Sequence, residues 1–139
     1  MGALVVLKCS SDPSSLPTEF LVEVEIVPRC ATFAPQDDIA ALVTNLSSGP
    51  VYLDLQCLPT LERLQGGAWV EASLPLRLGC ANELRAPIRI ISGGSMNLEV
   101  GRRFLSSGLV PGHYRFRVLV GANERDFATH RSVAFEITG

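Results

Sequence analysis

Two glutamates and the only tryptophan are the residues whose types and spacing are best suited to chemistry. In the stretch TLERLQGGAWVEA, residues 60–72, Gly66-Gly67 separates two strand-like runs. Such a pair predicts a two-residue β-hairpin, because a type I′ turn needs positive φ at both of its positions. Counting outward from the turn places Glu62 opposite Glu71, on the face that also carries Trp69.

This acidic pair allows three interpretations. Two carboxylates beside a sugar are the catalytic groups of most glycosidases, so Glu62 and Glu71 could in principle form such a pair. With Trp69 they could instead form a surface that binds a cation or a carbohydrate. A solvated strand face explains them better, although like charges directly opposed across two strands are destabilising. Glu62, Trp69 and Glu71 are therefore the candidate binding surface.

Other patterns of catalysis and metal binding are missing from the sequence. There is no G-x-S-x-G, and neither His113 nor His130 lies at ligand spacing from a cysteine, so both are predicted to be surface loop histidines. The glycine-rich ISGGSMN lacks the phosphate-loop pattern and is predicted to be a turn. We expect no catalytic, cofactor-binding or metal-binding residue and no cofactor, and hence a protein that is not an enzyme.

The four cysteines give information about the cellular compartment of the protein rather than about catalysis. Cys57 and Cys80 flank the hairpin, and a disulfide between them would add about 3 kcal/mol of stability. Free structural thiols are the alternative. Cys9 and Cys30 remain, and they could pair with each other. A disulfide would place the protein in the periplasm, on the cell surface or in the medium; without one, the cytoplasm is the alternative.

The beginning of the chain, MGALVVLKCSSDPSS, resembles the flexible start of a mature bacterial lipoprotein, whose cysteine carries the lipid. Cys9 is accordingly a lipidation candidate, although Lys8 stands where a small residue normally precedes that cysteine. An ordinary N-terminal strand or tail is favoured. We assign residues 1–18 to this tail, which could be a leader remnant, and residues 19–139 to one globular domain. No apolar run of about 18 residues is present, so no membrane span is predicted.

The net charge of the chain limits the classes of binding partner that are expected. The 139 residues carry a net charge of −2, so there is no overall attraction to nucleic acid, and none is expected as a partner. Arg115 and Arg117 lie on the outward face of one strand and are predicted to pair with glutamates on neighbouring strands. A protein partner bound through loops or an edge strand remains open.

A hydrophobic period of two dominates the chain and predicts strands. It places Tyr114, Phe116, Val118 and Val120 inward, and Tyr114 after Pro111-Gly112 suits a tyrosine corner. The run DDIAALVTNL could be a capped helix, but its neighbours favour a strand. In the final run, SVAFEI, the residues predicted to face inward are Val133, Phe135 and Ile137. The fold class predicted is all-β, an antiparallel β-sandwich of seven to nine strands.

The order of these pieces resembles bacterial immunoglobulin-like domains of unknown function, found in exported or lipid-anchored proteins. The matching residues are Asn45, Ser47, Pro50, Leu61-Glu62-Arg63, Gly67, Trp69, Gly94, Pro111-Gly112 and Tyr114-Arg115. The resemblance implies a non-catalytic binding or structural module of the cell envelope or of a secreted protein. A looser similarity to a bacterial proteinase-inhibitor sandwich family gives the alternative, a protease inhibitor that presents loops. Carbohydrate binding or glycosidase activity centred on the acidic pair is a weaker alternative.

Overall fold

Alternating apolar and polar residues fold the chain into two packed β-sheets. The structure, a computed structural model, describes residues 20–55, 58–77 and 86–139. A short 3-10 turn lies at Arg102–Phe104. The strands in the described ranges are β1 Val24–Pro28, β2 Thr32–Phe33, β3 Ile39–Asn45, β4 Val51–Asp54, β5 Thr60–Gln65, β6 Ala68–Glu71, β7 Ile88–Ile90, β8 Ser95–Val100, β9 Gly112–Gly121, β10 Ala128–Arg131 and β11 Phe135–Ile137.

One sheet has the order β1-β3-β8, and the other is organised around the long strand β9. β9 pairs with β11 and β10 along one side and with β5 and β4 along the other. The predicted all-β sandwich is confirmed. Two features were not foreseen: β2 pairs with β11 in parallel, and several strands of two to four residues bring the described count to eleven.

The core lies between the two sheets and follows the predicted alternation. Tyr114, Phe116, Val118 and Val120 are all buried, as predicted for β9. Phe135 of β11 lies at the centre of an aromatic cluster, with ring centroids 5.4 Å from Phe33, 6.2 Å from Tyr114 and 5.5 Å from Phe116. The run that could have been a helix is strand β3, whose alternate residues are buried.

The end of the chain departs from the predicted pattern. Val133 was expected to face inward, but its surface is 68% exposed, so that prediction is wrong. The final strand begins only at Phe135, because Ser132 is buried and its hydroxyl accepts a hydrogen bond from the backbone N–H of Phe116. This contact sets the register in which Phe135 and Ile137 reach the core.

Tyr114 forms the predicted tyrosine corner. Its ring is buried, and its hydroxyl donates a hydrogen bond of 2.5 Å to the carbonyl oxygen of Val110. Burial raises the pKa of Tyr114, outweighing the opposite effect of nearby Arg63, so the hydroxyl stays a donor at neutral pH. The bond fixes the loop before β9 against the start of the strand.

We expect Tyr114→Phe to lower the free energy of unfolding by about 1 kcal/mol, the net contribution of one hydrogen bond. Urea unfolding measures the difference. Tyr52→Phe is the matched control, because no hydrogen bond of that half-buried hydroxyl is seen within the described ranges. Equal stability of the Tyr114 variant and the parent would show that the corner contributes nothing.

Three of the four cysteines fall in the parts of the chain that are not described. The predicted Cys57–Cys80 disulfide and the candidate lipidation of Cys9 therefore lie outside the described residues, as does the predicted tail 1–18. Cys30 is an exposed free thiol. Within the described ranges, no helix is long and apolar enough to cross a membrane.

Candidate functional site

The β5–β6 hairpin forms as the sequence predicts. Gly66 and Gly67 have φ values of 58° and 83°, which is the positive φ at both positions that the turn requires. Glu62 lies opposite Glu71, and Leu64 lies opposite Trp69. The register of the candidate binding surface is therefore confirmed.

Glu62 is not part of a solvated strand face, and that prediction is wrong for this residue. Its side chain is only 6% exposed, because three arginines cover it. Its Oε1 accepts hydrogen bonds from Arg115 Nε at 2.7 Å and from Arg131 Nε at 3.0 Å, while Arg117 Nη1 lies 3.5 Å from Oε2. We call these three arginines and the two glutamates of the hairpin the Glu62 network.

Sheet register explains how these side chains meet. β5 pairs with β9 so that Glu62 lies directly opposite Arg115. β10 pairs with the other side of β9 so that Arg131 lies opposite Arg117. Residues that are paired across strands direct their side chains to the same face, so all four groups converge on the outer face of the larger sheet.

The network also offsets the electrostatic repulsion expected between the paired glutamates. Glu71 is 66% exposed at its side chain, and its Oε1 accepts a hydrogen bond of 2.8 Å from Arg117 Nη2. Arg117 thus bridges both carboxylates. The prediction that Arg115 and Arg117 pair with glutamates of neighbouring strands is confirmed, and positive charge exceeds negative charge by one within the network.

Trp69 is part of the same surface. The guanidinium carbon of Arg115 lies 4.3 Å from the centroid of the Trp69 ring, a cation–π contact. One face of the half-buried ring is therefore already occupied by a side chain of the protein. The structure brings Glu62, Trp69 and Glu71 together as predicted, but with arginine between them.

The electrostatics keep Glu62 ionised. Burial raises the pKa of Glu62, but the hydrogen bonds and charges of Arg115 and Arg131 together outweigh burial and hold the pKa below its ordinary value. A general acid needs a raised pKa, as in glycosidases, so this environment is opposite to that requirement. The arrangement of Glu62 is suited to fixing strands together.

The lowered pKa predicts how stability depends on pH. A group with a lowered pKa in the folded state stabilises the fold fully above its unfolded-state pKa, about 4.5, and loses that contribution as the pH falls through the folded-state pKa. We expect the stability difference between the parent and Glu62→Gln to narrow on acidification from about pH 7 to about pH 3. Urea unfolding across this range measures it. Parallel curves for the parent and Glu62→Gln would contradict the prediction.

Neither histidine forms part of a chemical cluster. His130 was predicted to lie in a loop, but it is half-buried in β10 opposite Val118, and burial lowers its pKa. His113 lies at the start of β9, opposite Glu136. Across residues 20–55, 58–77 and 86–139, no group of three or more metal-ligating side chains comes together.

Two arginines of this region were missed by sequence reasoning. Arg131 belongs to β10, whose residues follow the turn-rich stretch GANERDF and show no apolar alternation. Arg63 could have been found, because in the predicted hairpin register it shares the inward face of Leu61. An arginine at an inward position is the signal of a buried partner or of an opening in the core.

Comparison with known proteins adds little to this geometry. No family model and no curated protein matches the chain. Among solved structures, an alkylpurine DNA glycosylase of Pseudomonas fluorescens bound to DNA containing an abasic site analogue is 15% identical, with a TM-score of 0.43. The match covers 86% of this chain and 31% of the glycosylase. A β-glucosidase of Listeria innocua is 16% identical, with a TM-score of 0.37, and the match covers 87% of this chain and 16% of the glucosidase.

Proposed function

We propose that this domain is a non-catalytic binding module that takes up an extended segment of a protein partner at the edge of β6. The observation that carries the proposal is the position of β6: in the described part of the sheet, it pairs with β5 alone. An open strand edge can accept another strand, whose main chain supplies the hydrogen bonds of binding.

The outward backbone groups of β6 can be assigned from the hairpin register. Residues of an antiparallel strand direct their N–H and C=O groups alternately to one neighbour and to the other. Ala72 N donates to Leu61 O at 2.9 Å, so the backbone N–H and C=O of Ala72 point toward β5. The backbone N–H and C=O of Glu71 therefore point toward the open side. The backbone N–H and C=O of Trp69, two residues earlier, point toward the open side for the same reason. The Glu62 network supports the proposal because it holds this hairpin rigidly on β9 and β10.

The alternatives fit the geometry less well. A glycosidase needs two carboxyl groups that can reach the sugar, whereas the side chain of Glu62 is only 6% exposed and is covered by three arginines. A sugar-binding surface needs an open aromatic face, and Arg115 takes one face of Trp69. A protease inhibitor that presents loops remains a second proposal, without a contact in the described residues that favours it.

An array of random peptides with both ends blocked tests the proposed edge. Glu71→Pro removes the outward N–H donor of Glu71, whereas Glu71→Ala removes the same carboxylate and keeps that donor. We expect peptide binding to survive in the Ala variant and to fall about tenfold in the Pro variant, given the loss of a main-chain hydrogen bond and the bulk of the ring. Both variants must unfold cooperatively. Equal binding by the two variants, or no binding by the parent, would refute the proposal.

We further propose that the module belongs to a bacterial cell-envelope or secreted protein of the immunoglobulin-like kind. The sequence resemblance supports the kind of domain, and the predicted Cys57–Cys80 disulfide supports the oxidising compartment. Alkylation of the native protein without reductant should modify Cys30, which is an exposed thiol, and should spare Cys57 and Cys80. Peptide mass mapping identifies the modified positions. Modification of Cys57 and Cys80 before reduction would contradict the disulfide and remove the argument for an oxidising compartment.

A further inference from the structure

A groove opens on the inner face of the hairpin, next to the edge of β6. It has a volume of about 400 Å³ and is lined by two segments of chain, 70–73 with Pro75 and 107–110, together with Arg63, Gln65 and Tyr114. The two segments are joined at one end, where Ser106 N donates to Pro75 O and Leu76 bridges to Leu105. The groove is lined by residues of both segments next to this junction.

The deep wall of the groove is a row of residues across three strands. Val70 of β6 lies opposite Arg63 of β5, which in turn lies opposite Tyr114 of β9. These three side chains point to the inner face, and Arg63 lies two residues along β5 from Leu61, which is fully buried in the core. Arg63 therefore lies at the margin of the core, between buried Tyr114 of β9 and partly exposed Val70 of β6.

The charge of Arg63 is not matched by any carboxylate in the described part of the chain. Its Nη2 donates to the carbonyl oxygen of Pro111 at 3.1 Å, and its Nε is buried without a partner. That Nε faces Gly112, where a Cβ atom would lie only 3.0 Å away. The terminal nitrogens Nη1 and Nη2 of Arg63 carry further N–H groups that can donate hydrogen bonds. Glu71 is the acidic residue of the groove lining, but its carboxylate accepts a hydrogen bond from Arg117 on the opposite face of the sheet.

We infer that this groove is a carboxylate site, in which Arg63 receives an aspartate or glutamate side chain of an extended peptide lying along β6. The inference rests on the proposed function and supplies the chemistry of the partner. A strand added at the edge of β6 directs every second side chain to the inner face, toward the groove. Guanidinium and carboxylate are complementary in charge and shape, and Val70 and Leu109 offer apolar contact to the methylenes of the acidic side chain.

The first test measures acid preference on the peptide array. Peptides with an internal glutamate are compared with their glutamine counterparts, both with blocked ends, so that no terminal carboxylate contributes. We expect the parent to favour the acidic peptides about tenfold, as for a charge-assisted hydrogen bond, and Arg63→Gln to lose this preference. Arg125→Gln is the control, because Arg125 is an exposed arginine in the loop at the far end of β9.

The second test does not depend on peptide binding at the edge. Isotope-labelled protein is titrated with N-acetylglutamate N-methylamide or with the matching glutamine compound, while the Arg63 Nε–H and the amides of residues 107–110 are observed by NMR. We expect saturable shifts with the acidic compound in the parent and in Arg125→Gln, and none in Arg63→Gln.

The outcomes separate the two claims. Peptide binding that depends on the β6 edge but is equal for acidic and amide peptides would overturn the carboxylate site and leave the proposed function standing. Shifts centred on Arg63 without any peptide binding would support the carboxylate site and refute the proposed function. An acidic compound that shifts no groove resonance would overturn the carboxylate site.

Discussion

Glu62→Ala should lower the free energy of unfolding by about 3 kcal/mol, because it removes the anion that three arginines surround. Arg115, Arg131 and Arg117 would then repel one another across two strand pairs, and the ion pair of Arg117 with Glu71 would offset only part of that charge. We place the effect at the low end for a broken buried ion pair, because the arginines keep part of their surface in water and can turn outward. Urea unfolding at neutral pH measures the loss.

The neighbouring glutamate provides the matched control. Glu71→Ala removes the same chemical group one strand away, but its side chain is mostly exposed and contacts one arginine. Such surface pairs contribute about 0–1 kcal/mol, so the two variants should differ by about 2 kcal/mol or more. Equal losses would mean that the burial of Glu62 contributes no extra stability. Added salt should reduce the effect of Glu71→Ala proportionally more than that of Glu62→Ala.

The hairpin shows why some of the site was predictable. Its turn residues, its register and the face shared by Glu62, Trp69 and Glu71 follow from local rules, since two glycines fix the turn and the strand period fixes the faces. Local rules do not say which strands lie beside a hairpin. Glu62 was predicted to be solvent-exposed. It is buried because Arg115 and Arg131 cover it, and both are more than fifty residues away along the chain.

The same limit explains the misassigned end of the chain. Val133 continues the apolar alternation of SVAFEI, so its sequence pattern matches a buried strand. It is exposed because the strand begins after Ser132 has bonded to β9, a contact between distant parts of the sequence. β10 was missed for the converse reason, since Ala128–Arg131 shows no apolar alternation and is a strand only because β9 offers an edge.

The groove at Arg63 connects these observations. The hairpin continues beyond the level at which its outer face carries the Glu62 network along β9, and there Arg63 and Val70 line a groove on the inner face. One element thus supplies a rigid outer face, an open edge at β6 and a cation beside that edge. For the proposed peptide binding, a scaffold that is fixed before the partner arrives would lower the entropic cost of association.

Asn45→Ala should be comparably destabilising, by about 3 kcal/mol, because its buried amide satisfies three backbone groups. Nδ2 donates to the carbonyl oxygens of Gly49 and Ile90, and Oδ1 accepts from the N–H of Ser47. The alanine variant would leave these groups without their partner at the place where β3 ends and the chain turns toward β4. Urea unfolding of the variant measures the cost.

Asn123→Ala is the control for Asn45→Ala. Its Oδ1 likewise accepts from two backbone N–H groups, those of Arg125 and Asp126, but it does so on an exposed loop where water can replace it. We expect a loss below about 1 kcal/mol for this variant. A similar loss at both positions would show that burial does not decide the strength of these hydrogen bonds. Because Asn45 lies in the smaller sheet, away from the hairpin, its loss should weaken peptide binding only as far as it unfolds the domain.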